Sequence, residues 1–178
     1  MHLNTARLEI RDLTMDMARQ LHLNSLDEDN RRFVPDEVFE TEDEARDVLQ
    51  TLISCALRGE SPLVFAVCLK GGDMIGYVQA VSIAGEEGLP DWEIGYHIAS
   101  AHTGRGYATE ALRAFLPVIA RQLGVCALAG IVLRENAASC RVLEKCGFTM
   151  IFDGEGMYQG QPRALRRYLW RIQDDDQR

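Results

Sequence analysis

No stretch of this 178-residue chain approaches the ~20 consecutive apolar residues that a membrane span needs. The first residues also lack the charged-then-apolar pattern of a secretory signal. The five cysteines are an odd number without metal-ligand spacing. A structural zinc site and a disulfide framework are therefore not expected, and no metal is assigned. Cys55, Cys68 and Cys126 lie in apolar surroundings, as reduced core thiols of a cytoplasmic protein would. No dense basic stripe offsets the net charge of −8, which disfavours nucleic acid as a partner. The only basic cluster, Arg163, Arg166, Arg167 and Arg171, reads as a partly exposed edge strand. Also missing are a P-loop and a third glycine at Rossmann spacing followed by an acidic residue.

What is present fits one mixed α/β domain over residues 1–178, with 47% apolar residues to build its core. Residues 7–12 alternate as a strand, and helical spacing follows over 14–26. Residues 27–40 are polar and broken by Pro35. Thr41 and Glu44 form a capping box that opens a helix running to Arg58, and Gly59 stops it. Residues 63–69, 74–83 and 91–99 read as an antiparallel meander. A helix over 107–123 contains Pro117 and should kink there. A buried strand (125–133), a short helix (136–146) and two strands (148–153 and 164–172) complete about seven strands. The tail Asp174, Asp175 and Asp176 reads as a frayed end.

Between the third meander strand and its helix lies Thr103-Gly104-Arg105-Gly106-Tyr107-Ala108-Thr109. Glycines there let backbone N–H groups approach an anion with no Cβ in the way. The helix start adds unpaired donors and the positive end of the dipole. The ligand indicated is a phosphorylated cofactor held by main chain. Arg105 either adds a charge contact to a phosphate or faces solvent. Downstream, Asn136 suits an N-cap, Ser139 sits one turn on, and Gly147 suits a helix stop.

Together these motifs resemble the GNAT acyltransferases, which take an acyl group from acyl-coenzyme A. The pattern around Thr5, Arg7, Leu8, Ile10, Arg11, Leu13 and Thr14 is similar to the branch that acetylates protein N-termini, including ribosomal-protein acetyltransferases. So are Glu93-Ile94-Gly95-Tyr96 and Asn136, Ser139, Lys145, Gly147 and Phe148. The resemblance implies a mostly antiparallel sheet flanked by helices and splayed at the cofactor site, with a bulge at Gly95-Tyr96. It implies acetyl-CoA as cofactor, held by residues 103–109 and Asn136, with N–H groups near Ile98 polarising the thioester carbonyl. Thr103 departs from the family's usual first loop residue, Gln or Arg.

For chemistry, Glu93 is either the proton acceptor, through water, or an exposed strand carboxylate. His97 is the other candidate base. Many relatives place a tyrosine where this chain has Leu143, which cannot donate a proton. Ser139 is the candidate donor to the leaving thiolate, as in the ribosomal-protein branch, or else it bonds backbone. Tyr158 lies on a loop that either reaches the site or faces solvent. Cys140 has no evident base partner, so attack in a ternary complex is expected rather than an acyl-enzyme. The acceptor is a primary amine: a protein N-terminus, or a small amine such as a polyamine, aminoglycoside or amino acid. The acidic segment 27–47 is either a field for a cationic acceptor or a solvated surface. A non-catalytic acyl-CoA sensor is the other functional class, and a monomer or a homodimer suits both.

Overall fold

The computed structural model describes residues 1–83, 85 and 88–172. The acidic tail at 174–176 lies outside them. Eight strands form one sheet in the order β1-β2-β3-β4-β5-β6-β8-β7. They are β1 (His2–Asn4), β2 (Leu8–Asp12), β3 (Leu63–Leu69), β4 (Met74–Ser82), β5 (Trp92–Ile98), β6 (Ala127–Leu133), β7 (Thr149–Tyr158) and β8 (Gln161–Arg171). The strand beyond the expected seven is β1, whose three residues are too few to show alternation. Every neighbouring pair is antiparallel except β5 and β6. Helix α4 (Tyr107–Leu123) makes the crossover between those two.

The sheet is buried on both faces at its centre, which explains the unbroken apolar run of β3. Leu63, Phe65 and Val67 face a core shared with α4 and α5 (Ala137–Lys145), where Leu112, Phe115, Leu116, Ile119 and Leu143 are buried. Val64, Ala66 and Cys68 face the opposite core, built with α1 (Ala18–Ser25) and α3 (Glu42–Arg58) through Leu21, Ala45 and Leu49. The Thr41 hydroxyl accepts the Glu44 N–H at 3.2 Å, as a capping box should, but the Glu44 carboxylate returns to the Glu40 N–H at 2.8 Å, one residue before the cap. Helix α4 runs through Pro117 without ending there.

Several local expectations change. The segment 27–40 holds α2 (Glu28–Phe33) and a 3-10 turn at Pro35–Glu37; both are too short to show an amphipathic period. Strands β7 and β8 extend through residues expected to be loop and meet in a tight turn at Gln159 and Gly160. Tyr158 therefore ends a strand. The arginine-rich strand β8 is interior, lying between β6 and β7. Its charges are accommodated by partners such as Asp153, which accepts from Arg166 at 2.9 Å. Cys126 is exposed rather than part of the core.

Gly76 fixes how close β4 lies to β5, because a Cβ there would collide with the His97 carbonyl. Gly76→Ala should destabilise the protein by about 1–3 kcal/mol through this overpacking. Urea unfolding at neutral pH measures it; an unchanged midpoint would show that the two strands can separate freely.

Candidate active site

Strand β5 is paired along its length with β4 but meets β6 at one register pair, Glu93 opposite Ala129. Backbone hydrogen bonds from Ile83 to Asp91 and from Ala99 to Ile75, both 2.8 Å, frame the β4–β5 ladder. In an antiparallel pair bonded residues alternate. Glu93, Gly95 and His97 therefore turn their N–H and C=O groups to β4. Ile94, Tyr96 and Ile98 turn theirs toward β6, and beyond Glu93 that strand has diverged. The Ile98 N–H thus lies on an open strand edge, inside the fold rather than at its margin. At the parting, the Glu93 carboxylate accepts the Ile131 N–H at 3.3 Å. The expected bulge at Gly95-Tyr96 is absent: the β4–β5 register runs through both residues without a shift. Divergence of β6 alone opens the sheet.

At the end of this opening, Gly104 (φ +74°) and Gly106 (φ +80°) take left-handed conformations that glycine adopts without strain. Gly106 is the N-cap of α4, and no side chain caps it. The N–H groups of Tyr107, Ala108 and Thr109 thus face outward without intrahelical partners. Thr103 turns its hydroxyl back to the Ser100 carbonyl at 2.9 Å, so only its backbone borders the loop. The Arg105 side chain is exposed.

Two residues outside the glycine motif tie this loop down. The Arg7 guanidinium donates to the Arg105 carbonyl at 3.0 Å, pairs with Glu110 at 2.6 Å and covers the Tyr107 ring at 4.4 Å. Burial alone would raise the Glu110 carboxyl. Hydrogen bonds from Thr5 and Arg7 outweigh it and hold the group below the usual carboxylate range. At the other end, Asp27 accepts from the Ser100 N–H at 2.6 Å and the Ser100 hydroxyl at 2.9 Å. Nothing local in the sequence marks Asp27 as a partner of a loop 73 residues away.

Asn136 caps α5 by accepting the Ser139 N–H at 3.0 Å. The Ser139 hydroxyl lies 2.7 Å from the Tyr96 hydroxyl, which also donates to the Ser139 carbonyl at 3.0 Å. Burial pushes the Tyr96 phenol far above its ordinary value, so it stays protonated. Leu143 is buried against Gly130 of β6, where a Cβ would crowd it at 2.9 Å. Cys140 is buried, with the Arg166 guanidinium as its polar neighbour at 3.8 Å.

The α1/α3 face of β5 carries the other titratable groups. Tyr158 donates to the Phe33 carbonyl at 3.3 Å. Its phenol is pushed up to about 12, by burial first and then by the Glu93 and Glu37 carboxylates. It is partly buried on this face rather than a free surface aromatic. Glu37 accepts from the Tyr77 hydroxyl and, at 3.2 Å, from the Gln79 amide. Burial raises its carboxyl, against the Gln79 hydrogen bond. No sequence motif marks Glu37; only the fold brings it here. His97 is held below its ordinary value by burial, although Asp27 lies 3.6 Å away.

That shift fixes a pH dependence. A histidine that resists protonation when folded takes up its proton more readily when unfolded, so acid favours unfolding from about pH 6.5 downward. Glu37 acts in the opposite sense, and comparison with His97→Gln removes its share. The stability of wild type relative to His97→Gln should fall as pH drops from about 7.5 to 5.5. Urea midpoints at several pH values read it; a flat difference would mean that His97 titrates normally.

Residues 7–149 match the family model described as "Acetyltransferase (GNAT) domain". The chain is similar to an uncharacterised N-acetyltransferase, YnaD, of Bacillus subtilis, 27% identical over 83% of this chain and 82% of that protein. Its fold is similar to that of a GNAT-family acetyltransferase from Bacillus anthracis, with TM-score 0.78, 24% identity and 98% and 99% of the two chains covered. It is also similar in fold to RimL, a ribosomal L7/L12 α-N-protein acetyltransferase solved with coenzyme A, at TM-score 0.79, 19% identity and 97% and 98% coverage. No helix among the described residues is long and apolar enough to cross a membrane. With the opened β5–β6 pair, the glycine-lined helix start and a family match over most of its length, the chain belongs to the GNAT acetyltransferases.

Proposed function

We propose that this acetyltransferase moves an acetyl group from acetyl-CoA to a primary amine by direct attack, with a protein N-terminal α-amine as the leading acceptor. The observation that carries the reading is the open β5 edge leading to an uncapped helix start. The residues present fit acetyl-CoA. An extended amide chain can pair with the N–H and C=O groups of Tyr96 and Ile98 in place of the missing strand. A pyrophosphate suits the free N–H groups of residues 104–109, with Arg105 beside them. Asn136 is engaged as a helix cap, so its part is to position Ser139. When bound, acetyl-CoA supplies the activated thioester.

The Ile98 N–H is then the donor for the carbonyl on which negative charge develops. Glu93, at the parting of the strands, accepts the proton that the amine must lose, through water. On the opposite side, the Ser139 hydroxyl faces the departing sulfur and Tyr96 fixes its position. Among the described residues Cys140 meets the Arg166 guanidinium and the Tyr168 hydroxyl, neither of which is a ready proton acceptor to make it a nucleophile. The RimL fold supports the α-amine acceptor. A small amine is the second reading, favoured by the confined cavity on the α1/α3 face.

Free-thiol release from acetyl-CoA tests this across N-terminal peptides, polyamines, aminoglycosides and amino acids. Acceptor-dependent release should fall by about 10²-fold in Glu93→Gln and in Ser139→Ala. Coenzyme A affinity, read by calorimetry, should hold in both variants. Unchanged turnover in either variant would remove that residue from the mechanism.

A further inference from the structure

One built feature has no part in holding acetyl-CoA. Between the sheet and the segment joining α1 to α3 lies a cavity of ≈ 200 Å³. Its walls are apolar, formed by Leu13, Leu21, Phe39, Leu52 and Val64. Four of its polar side chains, Glu37, Tyr77, Gln79 and His97, lie together, and Asn24, Ser25, Asn30 and Asp36 complete the lining. Glu37 accepts from Tyr77 and Gln79, and the Tyr77 and His97 rings are 5.9 Å apart. The cluster sits over β5. Gln79 lies across Gly95, where a Cβ would meet its amide nitrogen at 2.6 Å, and Gln79 carries its hydrogen bond onward to Glu37. The carboxylate thus stands above the strand whose far edge is open, with Tyr158 in the electrostatic field of both Glu37 and Glu93.

The lining specifies its occupant. Among the described residues no lysine or arginine borders the cavity, whereas Asp36 and Glu37 both do. The shielded His97 Nε2 has no hydrogen-bond partner among them. A cavity of about 150 Å³ lined by apolar side chains takes up benzene, so this one has room for a group of that size. Most of the exposed wall is apolar, so the several charges of a polyamine or the many hydroxyls of an aminoglycoside would outnumber the groups able to pair them.

We propose that the acceptor is a primary amine on an apolar group of about phenyl size, with the group in this cavity and the nitrogen held by Glu37. This rests on the acetyl-transfer reading above and names its substrate class. The same chemistry comes from two sources: a peptide whose first residue is large and apolar, or a free arylalkyl amine. Glu37 is a binding residue here, opposite in charge to the incoming ammonium. A neighbouring ammonium favours its ionised form, against the burial that raises it.

Calorimetry on the protein saturated with coenzyme A tests this without turnover. The probes are 2-phenylethylamine, ethylamine, spermidine, and tripeptides beginning with Phe or Ser. At least one phenyl-bearing probe should bind about 10-fold or more tighter than its small counterpart, the range expected for filling an apolar pocket. Preference for the Phe tripeptide assigns a peptide N-terminus; preference for 2-phenylethylamine alone assigns a free amine. Leu52→Trp, which fills the cavity, should abolish the preference. Glu37→Gln should weaken the preferred amine about 10-fold, with coenzyme A affinity unchanged as the check on folding. Equal binding of large and small amines, or tightest binding of spermidine or the Ser tripeptide, overturns the inference while coenzyme A binding leaves acetyl transfer standing. Failure to bind coenzyme A overturns the transfer reading and this one with it.

Discussion

The site depends on a hydrogen-bonded ladder that stops after one pair. Strands β5 and β6 are each paired along their outer edges, to β4 and β8. They touch at Glu93 and Ala129 and then diverge. Unpaired backbone groups inside a fold cost about as much as a lost hydrogen bond each. The Glu93 side chain meets one of them, at Ile131. The N–H and C=O groups of Tyr96 and Ile98 face the gap. A fold that leaves them so is complementary to an extended amide-bearing ligand, as an exposed sheet edge is to an added strand.

Holding such an opening requires rigidity around it. The loop at 100–106 carries glycines and would be mobile by itself. It is fixed from sequence-distant segments: Asp27 takes the amide at its start, and Arg7 with Glu110 binds its end. The start of β2 and the α1–α2 junction therefore fix the glycine loop as well as packing in their own part of the fold. These contacts are partly exposed, and their value lies more in fixing geometry than in net stability.

Much of this was legible from the chain, for identifiable reasons. Gly104 and Gly106 before an amphipathic helix, and Asn136 before another, are local signals, because turn and cap chemistry act over three or four residues. The meander was legible because β3 and β4 are mostly apolar runs joined by a four-residue turn, and β5 alternates. Three-residue β1 and six-residue α2 were not, since neither is long enough to repeat its period. The placement of β8 inside the sheet was hidden by its arginines: Arg166 pairs with Asp153, Arg163 with Glu135, and Arg163 and Arg171 stay exposed although the strand is interior. Asp27, Glu37 and the Tyr96–Ser139 contact are products of tertiary proximity. A carboxylate in an acidic surface segment looks the same whether it faces water or a cavity.

Alternation along β5 divides the chemistry between the two faces of the sheet. Ile94, Tyr96 and Ile98 point their side chains to the α4 and α5 side, where Tyr96 reaches Ser139. Glu93, Gly95 and His97 point to the other side, among the carboxylates and the apolar cavity. In the proposed reaction, a thiol leaving on one face and an amine arriving on the other would meet different groups without competing for them. Gly95 is the hinge of that division. A side chain there would displace Gln79 and with it the hydrogen bond that positions Glu37. The glycine that suggested a bulge thus serves the α1/α3 face, by leaving room for a neighbour's side chain to cross the strand.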